Sequence, residues 1–172
     1  MKHESQQRRI VIAMATATIF SACFIWLCYQ FFPFQLPPLN SIAQRLAFTL
    51  HCDVFAGLML LIGIGRVAGQ RFFSPEAIDG SDVGKSLTIN LHYIQNTLEQ
   101  TVLLVLAHLS LATVIPAHAM KIMPILVLLF VIARLCFWIG YHHNPISRAF
   151  GFAATFYPTA AVLVFVVIKI IM

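Results

Sequence analysis

Charged residues are scarce in this chain. Lysine, arginine, aspartate and glutamate make up 10% of its 172 residues, whereas 60% are hydrophobic and the mean hydropathy is +0.87. Soluble globular domains carry about 25% charged residues. This shortage excludes a soluble domain and predicts a protein that crosses the membrane several times.

The chain also lacks the short motifs of soluble enzymes: it has no phosphate-binding loop, no Rossmann glycine pattern and no Gly-x-Ser-x-Gly elbow. Its cysteines lie in apolar segments without the spacing of metal ligands, which predicts inert core thiols and no metal site. The pair His142-His143 is interpreted as an interfacial anchor because no acidic or cysteine partner lies near it in sequence. The four cysteines are Cys23, Cys28, Cys52 and Cys136.

What the chain does have is long apolar segments. A span needs about 20 apolar residues, and prolines and glycines separate the candidates. The sequence therefore predicts an all-α bundle of five transmembrane helices in a single integral membrane domain, residues 1–172, with a water-exposed loop at Gln70–Lys85. The basic N-terminus is interpreted as the start of a retained first helix, not of a cleaved signal. The helices are expected at about 10–32, 43–68, 91–115, 122–141 and 150–171.

Basic residues outside the spans indicate the orientation. Cytoplasmic segments of membrane proteins are enriched in lysine and arginine. A cytoplasmic N-terminus and an external C-terminus place seven basic residues on the cytoplasmic side and three on the other. The seven are Lys2, Arg8, Arg9, Arg66, Arg71, Lys85 and Arg148, and the three are Arg45, Lys121 and Lys169.

A polar stripe enters the third segment. His92, Asn96 and Glu99 follow one another at spacings of four and three residues, which places them on one face of a helix with Gln95 beside them. A carboxylate inside a span costs roughly 2.5–3.5 kcal/mol to insert, so it needs a partner or a cavity. Two interpretations remain open: polar contacts that hold helices together, or a ligand site.

Depth along the helices suggests partners for the buried charges. Counted at 1.5 Å per residue, Glu99 lies about 12 Å and Arg134 about 10 Å from the same surface. We therefore expect a Glu99–Arg134 ion pair. The same counting suggests a pair between Asp53 and His108, with His51 or water as the alternative partner of Asp53. Gly65 and Gly69, four residues apart, suggest a close helix contact.

Five residues on three helices then share one depth near the cytoplasmic surface. Arginines bind carboxylates in a bidentate manner, a glutamate binds an ammonium group, and an asparagine can bind a peptide amide. The cluster suits an anionic or zwitterionic small molecule, while a lipid-like molecule could arrive from the bilayer. Arg148 has an alternative role as a topology determinant. The cluster consists of Asn96, Glu99, Arg134, Tyr141 and Arg148.

These residues resemble the MAPEG superfamily, the membrane-associated proteins in eicosanoid and glutathione metabolism. One set of matches is Asn96-x-x-Glu99, Ala133-Arg134-Leu135, Gly140-Tyr141 and Arg148. A second set is similar to the divergent mattrin-like branch, at Arg134-Leu135-x-Phe137-Trp138 and Arg148-x-Phe150-Gly151-Phe152-x-x-Thr155-Phe156-x-Pro158. The likeness is strong over about 90–160, loose over 43–90 and absent over 1–40. That extent fits an extra helix ahead of the family's four.

The resemblance implies a homotrimer that binds glutathione between subunits near the cytosolic side. By position, Arg148 resembles the catalytic arginine that stabilises the glutathione thiolate. The ligand-binding residues would be Arg71, His92, Asn96, Glu99, Arg134 and Tyr141.

At three positions the chain differs from active members of the family, and each difference removes a contact from that site. His92 stands where active members have arginine, Ile94 where they have a polar residue, and Phe137 where they have a tyrosine that contacts glutathione. The sequence therefore predicts a non-catalytic or weakly active binder of lipid or a small anion, with no nucleic-acid partner. The alternative is a membrane glutathione transferase or peroxidase that acts on lipophilic electrophiles.

Five spans place the two ends of the chain on opposite faces of the membrane, which can be tested by labelling. With the native cysteines removed, a cysteine introduced at Ser81 and another in a C-terminal tag are expected to react with a membrane-impermeant maleimide from opposite sides of sealed vesicles. Labelling of both from the same side would contradict the five-span topology.

Overall fold

The computed structural model of the protein describes residues 2–73, 84–144 and 146–172. This part of the chain is helical, and all five long helices are long and apolar enough to cross a membrane. The predicted all-α fold with five membrane helices is confirmed. The helices are α1 (Lys2–Phe31), α2 (Ile42–Phe72), α3 (Lys85–Val114), α4 (Ile122–His143) and α5 (Arg148–Ile171), with a 3₁₀ turn (Ala117–Lys121) before α4.

Several helices run further than predicted. Helix α2 continues to Phe72 and α3 already begins at Lys85. The ends of the predicted loop at Gln70–Lys85 are thus helical, and its middle, 74–83, lies outside the described residues. The earlier start of α3 puts the polar stripe about two turns inside this helix.

Local sequence explains where the helices begin and end. Ser41 caps α2: its hydroxyl accepts a hydrogen bond from the Gln44 backbone N–H at 3.2 Å, and the Gln44 side chain accepts one from the Ser41 N–H at 3.0 Å. This reciprocal capping box satisfies two backbone donors that a helix start leaves free. Helix α1 ends just before Pro33, and α3 ends just before Pro116, because proline cannot continue a helix.

Helix α4 lies at the centre of the bundle and contacts all four other helices. Helix α1 packs against α5 and α4, while α2 packs against α3 and α4. The outward faces of α1, α2 and the last turns of α5 carry large exposed apolar side chains. In a bilayer these faces meet hydrocarbon or another subunit. For orientation, we call the two ends of the bundle the Arg148 end and the Lys121 end.

Pro158 lies inside α5, which continues past it to Ile171. A proline has no N–H for the carbonyl four residues earlier, here that of Ala154. The Ser21 hydroxyl of α1 donates to the Ala154 carbonyl at 3.4 Å. A neighbouring helix thus supplies a donor for the freed carbonyl, and this bond ties α1 to α5.

Two glycines permit close helix contacts. A Cβ on Gly151 would lie 2.5 Å from the Ala133 carbonyl oxygen and 2.5 Å from the Phe137 nitrogen, both backbone atoms of α4. A Cβ on Gly63 would lie 2.8 Å from the Tyr93 ring. Gly65 and Gly69, which the sequence analysis selects instead, have nothing within 4 Å of such a Cβ, so within one chain that prediction is wrong.

The four cysteines are free. Cys28, Cys52 and Cys136 are half-buried, whereas Cys23 is exposed on the outer face of α1. The prediction of a core thiol is therefore wrong for Cys23, since apolar sequence context in a membrane helix does not separate a lipid-facing position from an inward one.

The α4–α5 contact gives a stability test. Gly151→Ala should lower the free energy of unfolding by about 1–3 kcal/mol, because the added methyl group meets backbone that cannot move aside. The matched control is Gly57→Ala, where nothing lies within 4 Å of the added carbon. Alanine there should stabilise the helix by roughly 0.5–1 kcal/mol. Thermal unfolding in detergent measures both, and equal effects of the two changes would contradict the close contact.

Candidate functional site

A buried arginine forms the middle of the predicted cluster. Arg134 of α4 has no solvent exposure. Its Nη1 donates to Asn96 Oδ1 of α3 at 2.8 Å, and its Nη2 donates to the Gly151 carbonyl at 2.9 Å and to Thr155 Oγ1 at 2.6 Å, both on α5. The guanidinium carbon also lies 4.8 Å from the centre of the Phe137 ring. One side chain thereby holds three helices at a single level.

The predicted ion pair between Glu99 and Arg134 is wrong. Glu99 is exposed, and its carboxylate accepts a hydrogen bond from Gln95 Nε2 at 2.8 Å. The depths of the two residues match, but depth does not give the direction in which a side chain leaves the helix. Asn96, three residues before Glu99, accepts a hydrogen bond from Arg134 of α4 and takes the place predicted for the glutamate.

A second group lies at the Arg148 end of the bundle. The Tyr141 hydroxyl lies 2.8 Å from His92 Nδ1, and the two rings are nearly parallel, with an interplanar angle of 10°. The Arg148 guanidinium carbon lies 4.4 Å from the centre of the Tyr141 ring, a cation–π contact. His92, Tyr141 and Arg148 are thus brought together by the start of α3, the end of α4 and the start of α5.

Two predicted site residues remain apart from this group. The side chain of Arg71, in the last turn of α2, is exposed. Glu99 is exposed two turns further along α3 than His92. Within the ranges that the structure describes, no contact joins either residue to Arg148 or Tyr141.

A buried polar centre at Asn90 was not predicted from the sequence. Its amide oxygen accepts a hydrogen bond from Trp138 Nε1 at 2.8 Å and lies 3.1 Å from His142 Nε2. Its amide nitrogen donates to Gln70 Oε1 at 2.6 Å, and Gln70 Nε2 donates to Ser86 Oγ at 3.1 Å. Because an amide oxygen only accepts, His142 carries its hydrogen on Nε2 in this arrangement.

Aromatic packing surrounds this network. The rings of Tyr93 and Trp138 are stacked with centroids 4.7 Å apart, and the Tyr93 hydroxyl donates to the Met59 carbonyl at 3.3 Å. Asn90 lies three residues before Tyr93 on the same buried face of α3. That register is the only signal in the sequence for its role. His142 therefore contributes to helix packing as well as lying at a helix end, where an interfacial anchor was expected.

Towards the Lys121 end, α2 and α3 share a buried acid–base pair. Asp53 Oδ1 lies 2.7 Å from His108 Nδ1, and both side chains are almost fully buried. The predicted pairing of these residues is confirmed. Among the residues that the structure describes, the second carboxylate oxygen of Asp53 has no hydrogen-bond partner. The pair is too far along the helices to belong to the Arg148 group.

The geometry separates the predicted site into satisfied and available groups. Arg134 and Asn96 bind each other, and Tyr141 binds His92. Arg148 is half-buried and makes a ring contact but has no carboxylate partner among the described residues. In the described part of the chain, no group of three histidine, cysteine, aspartate or glutamate side chains could hold a metal ion. A single chain therefore offers an arginine at its surface, not a complete ligand site.

Comparisons with known proteins agree with the sequence resemblance. The family model described as "MAPEG family" matches residues 48–168, which covers most of the chain from α2 to α5. Transmembrane protein 79 of Mus musculus is 31% identical over 157 residues, 91% of this chain and 40% of that protein. Transmembrane protein 79 of Bos taurus is 30% identical over 156 residues, 90% of this chain and 39% of that protein.

The matched region covers most of this chain but less than half of each relative. The chain spans about 40% of the length of the curated relatives it matches. Because about nine-tenths of the chain is matched, the likeness extends into α1, further than the sequence analysis predicts. No solved structure matches the chain.

The partner of Arg134 can be tested directly. Asn96→Leu keeps the side-chain volume but removes an acceptor from a buried guanidinium. The free energy of unfolding should fall by about 1.5–3 kcal/mol, the usual value of a hydrogen bond to a charged group. Glu99→Gln, one turn away on the exposed face, should change it by less than about 0.5 kcal/mol. Unfolding in detergent measures the effect of each change on stability. A larger loss for Glu99→Gln than for Asn96→Leu would support the Glu99–Arg134 ion pair instead.

Proposed function

The chain belongs to the MAPEG family of membrane proteins, and we propose that it is a non-catalytic or weakly active member that binds a small anion or lipid. The anion would bind at the Arg148 end of the bundle. The proposed assembly is a homotrimer, as the sequence resemblance implies. Membrane insertion follows from the five apolar helices and the family membership.

The observation that carries this proposal is the internal satisfaction of the residues expected to bind glutathione. Both terminal nitrogens of the Arg134 guanidinium donate to Asn96 and to α5, and the whole side chain is buried, so it presents no exposed surface to a ligand. The Tyr141 hydroxyl is occupied by His92. Glutathione carries two carboxylates and one ammonium group, so a tight site for it needs at least two cations and one acid.

The departures from the family pattern point the same way. Phe137, where the resemblance implies a tyrosine that contacts glutathione, is 3% exposed. Its ring packs against the rings of Tyr93 and Tyr141, with centroids 6.2 and 5.9 Å away. The residues of one chain therefore do not fit glutathione.

A trimer would change which charges are near Arg148. Arg71 and Glu99 both lie exposed on the outside of a single chain. Packing of α2 from one subunit beside α3 and α5 of the next would bring Arg71 to Arg148 as a second cation, on the side of α3 that carries Glu99. The long apolar face of α2, with exposed Val54, Phe55 and Leu61, is a suitable surface for such packing in the membrane.

One observation favours the alternative of a glutathione transferase or peroxidase. Arg148 is half-buried beside the Tyr141 ring and free of any carboxylate partner in the described part of the chain. An arginine in that situation keeps its charge and can bind an anion. In an active member this charge would stabilise a thiolate, which is the role that the resemblance implies for Arg148.

Binding measurements distinguish the two functions. Full-length protein in detergent would be titrated with glutathione and, separately, with inorganic phosphate. We expect weak binding of both, because each missing contact to a charged group costs about 1.5–3 kcal/mol, or about tenfold or more in affinity. Arg148→Gln should abolish the binding, whereas the exposed Arg66→Gln on α2 should leave it unchanged. Micromolar glutathione affinity would support the enzyme instead, and no binding of either anion would refute the anion site.

A restoration experiment checks the reason for weak binding. The combined change His92→Arg, Ile94→Gln and Phe137→Tyr returns the residues of active relatives. If the thinned site is the cause, glutathione affinity should rise by at least tenfold while phosphate affinity rises less. Subunit mass and thermal unfolding establish that the variant is folded. A folded variant that still ignores glutathione would show that the three departures do not limit binding.

A further inference from the structure

An apolar groove opens at the Lys121 end of the bundle, between α1, α3 and α5. Its volume is about 380 Å³, which lies within the range of 300–1,000 Å³ typical of small-molecule sites. The walls are almost entirely apolar and lie within membrane-spanning helices. They include Ile25 and Tyr29 of α1, Leu111 and Ile115 of α3, and Phe165 of α5.

Small residues extend this groove along α1 and α5. A second hollow of about 200 Å³ shares Ile25, Pro158 and Ala161 with the first. Ala161 is exposed, so its methyl group borders open space on the surface that faces the bilayer. The two hollows lie side by side along α1 and α5, and together they have the length that a flexible apolar chain needs.

Three cations stand at the Lys121 end of this groove, and each contacts a residue of its wall. Lys121 Nζ donates to the Tyr29 carbonyl at 2.8 Å and lies 3.9 Å from the centre of its ring. Arg45 donates to the Ile115 carbonyl. Lys169 Nζ lies 5.9 Å from the centre of the Phe165 ring. The positive charge is therefore attached to the groove itself.

These cations lack an acidic counterpart in the part of the chain that is described. The described acids are Glu4, at the other end of α1, Glu99, exposed on the Arg148 half of α3, and Asp53, which pairs with His108. Subunits that share one orientation in a membrane would bring like cations together at this end. A second copy of the described bundle therefore provides no complementary charge for the groove, and an external anion does.

We infer that the groove binds an anionic membrane lipid. One acyl chain lies along the apolar walls, and the headgroup phosphate lies among Lys121, Arg45 and Lys169. A water-soluble anion would match the cations but leave the apolar walls unmatched, and an uncharged lipid would match only the walls. This site is at the opposite end of the bundle from Arg148, so it does not depend on the proposed anion site there.

Native mass spectrometry tests which lipid headgroup the groove prefers. The full chain is released from detergent that contains an equal mixture of phosphatidylglycerol and phosphatidylcholine with matched acyl chains. Wild-type protein should retain phosphatidylglycerol in preference. Lys121→Gln keeps a donor for the Tyr29 carbonyl but removes the charge, and it should lower the preference about fivefold. Arg66→Gln, an exposed cation on α2, is the matched control and should leave it unchanged. An unaltered preference in Lys121→Gln would overturn the headgroup assignment.

A pair of neighbouring alanines tests the groove. Ala161→Phe fills the groove and should remove most of the retained lipid. Ala160→Phe places the same ring on an adjacent surface of α5 outside the groove, and this variant should still retain the lipid. Equal lipid retention by the two variants would refute the site. If Ala161→Phe instead lowers the subunit number with lipid retention unchanged, the groove is an interface between copies and the inference is wrong.

Discussion

The burial of the Arg134 guanidinium without a carboxylate is the constraint on which the rest of the bundle depends. A cation inside a membrane protein needs acceptors from the protein, because hydrocarbon supplies none. Arg134 takes them from α3 and α5 at once: an amide oxygen, a hydroxyl and a backbone carbonyl. The carbonyl is that of Gly151, the residue whose missing side chain lets α5 approach the backbone of α4. The central position of α4 and the hydrogen bonds of its buried guanidinium therefore depend on the same close contact with α5.

Two further polar layers repeat this arrangement at other levels of the bundle. Asn90 joins α3 to α2 through Gln70 and to α4 through Trp138. Asp53 and His108 join α2 to α3 towards the Lys121 end. Helix α3 contributes to every layer, so the polar residues that make it look like a site are largely those that hold the helices together. Of the two interpretations of the polar stripe, helix contact accounts for Asn96, while His92 remains beside the surface arginine.

The sequence predicts the features that depend on distance along one helix axis. Hydrophobic length gives five spans, and equal depth correctly pairs Asp53 with His108. The sequence does not predict features that depend on the direction in which a side chain leaves the helix axis. Glu99 and Asn96 differ by three residues, and only the direction of each side chain decides which meets Arg134. The role of Asn90 is not predicted because a single asparagine in an apolar helix belongs to no recognisable motif. Gly151 escapes notice because its role depends on the backbone of another helix.

The positive charges at the two ends of the bundle have different surroundings, and α1 forms part of the surroundings at the Lys121 end. At the Arg148 end, the Tyr141 side chain contacts both a histidine and an arginine, and the arginine has no carboxylate partner in the described chain. At the Lys121 end, three cations lack acids in the described chain and surround a space that α1 helps to enclose. Helix α1 lies before the region matched by the family model, yet Ser21 fastens it to α5, and Ile25 and Tyr29 line the groove. A membrane helix added beside an existing bundle buries little apolar surface that lipid would not also cover. The contribution of α1 to the groove is therefore the shape that Ile25 and Tyr29 give to its wall, at the opposite end of the bundle from Arg148.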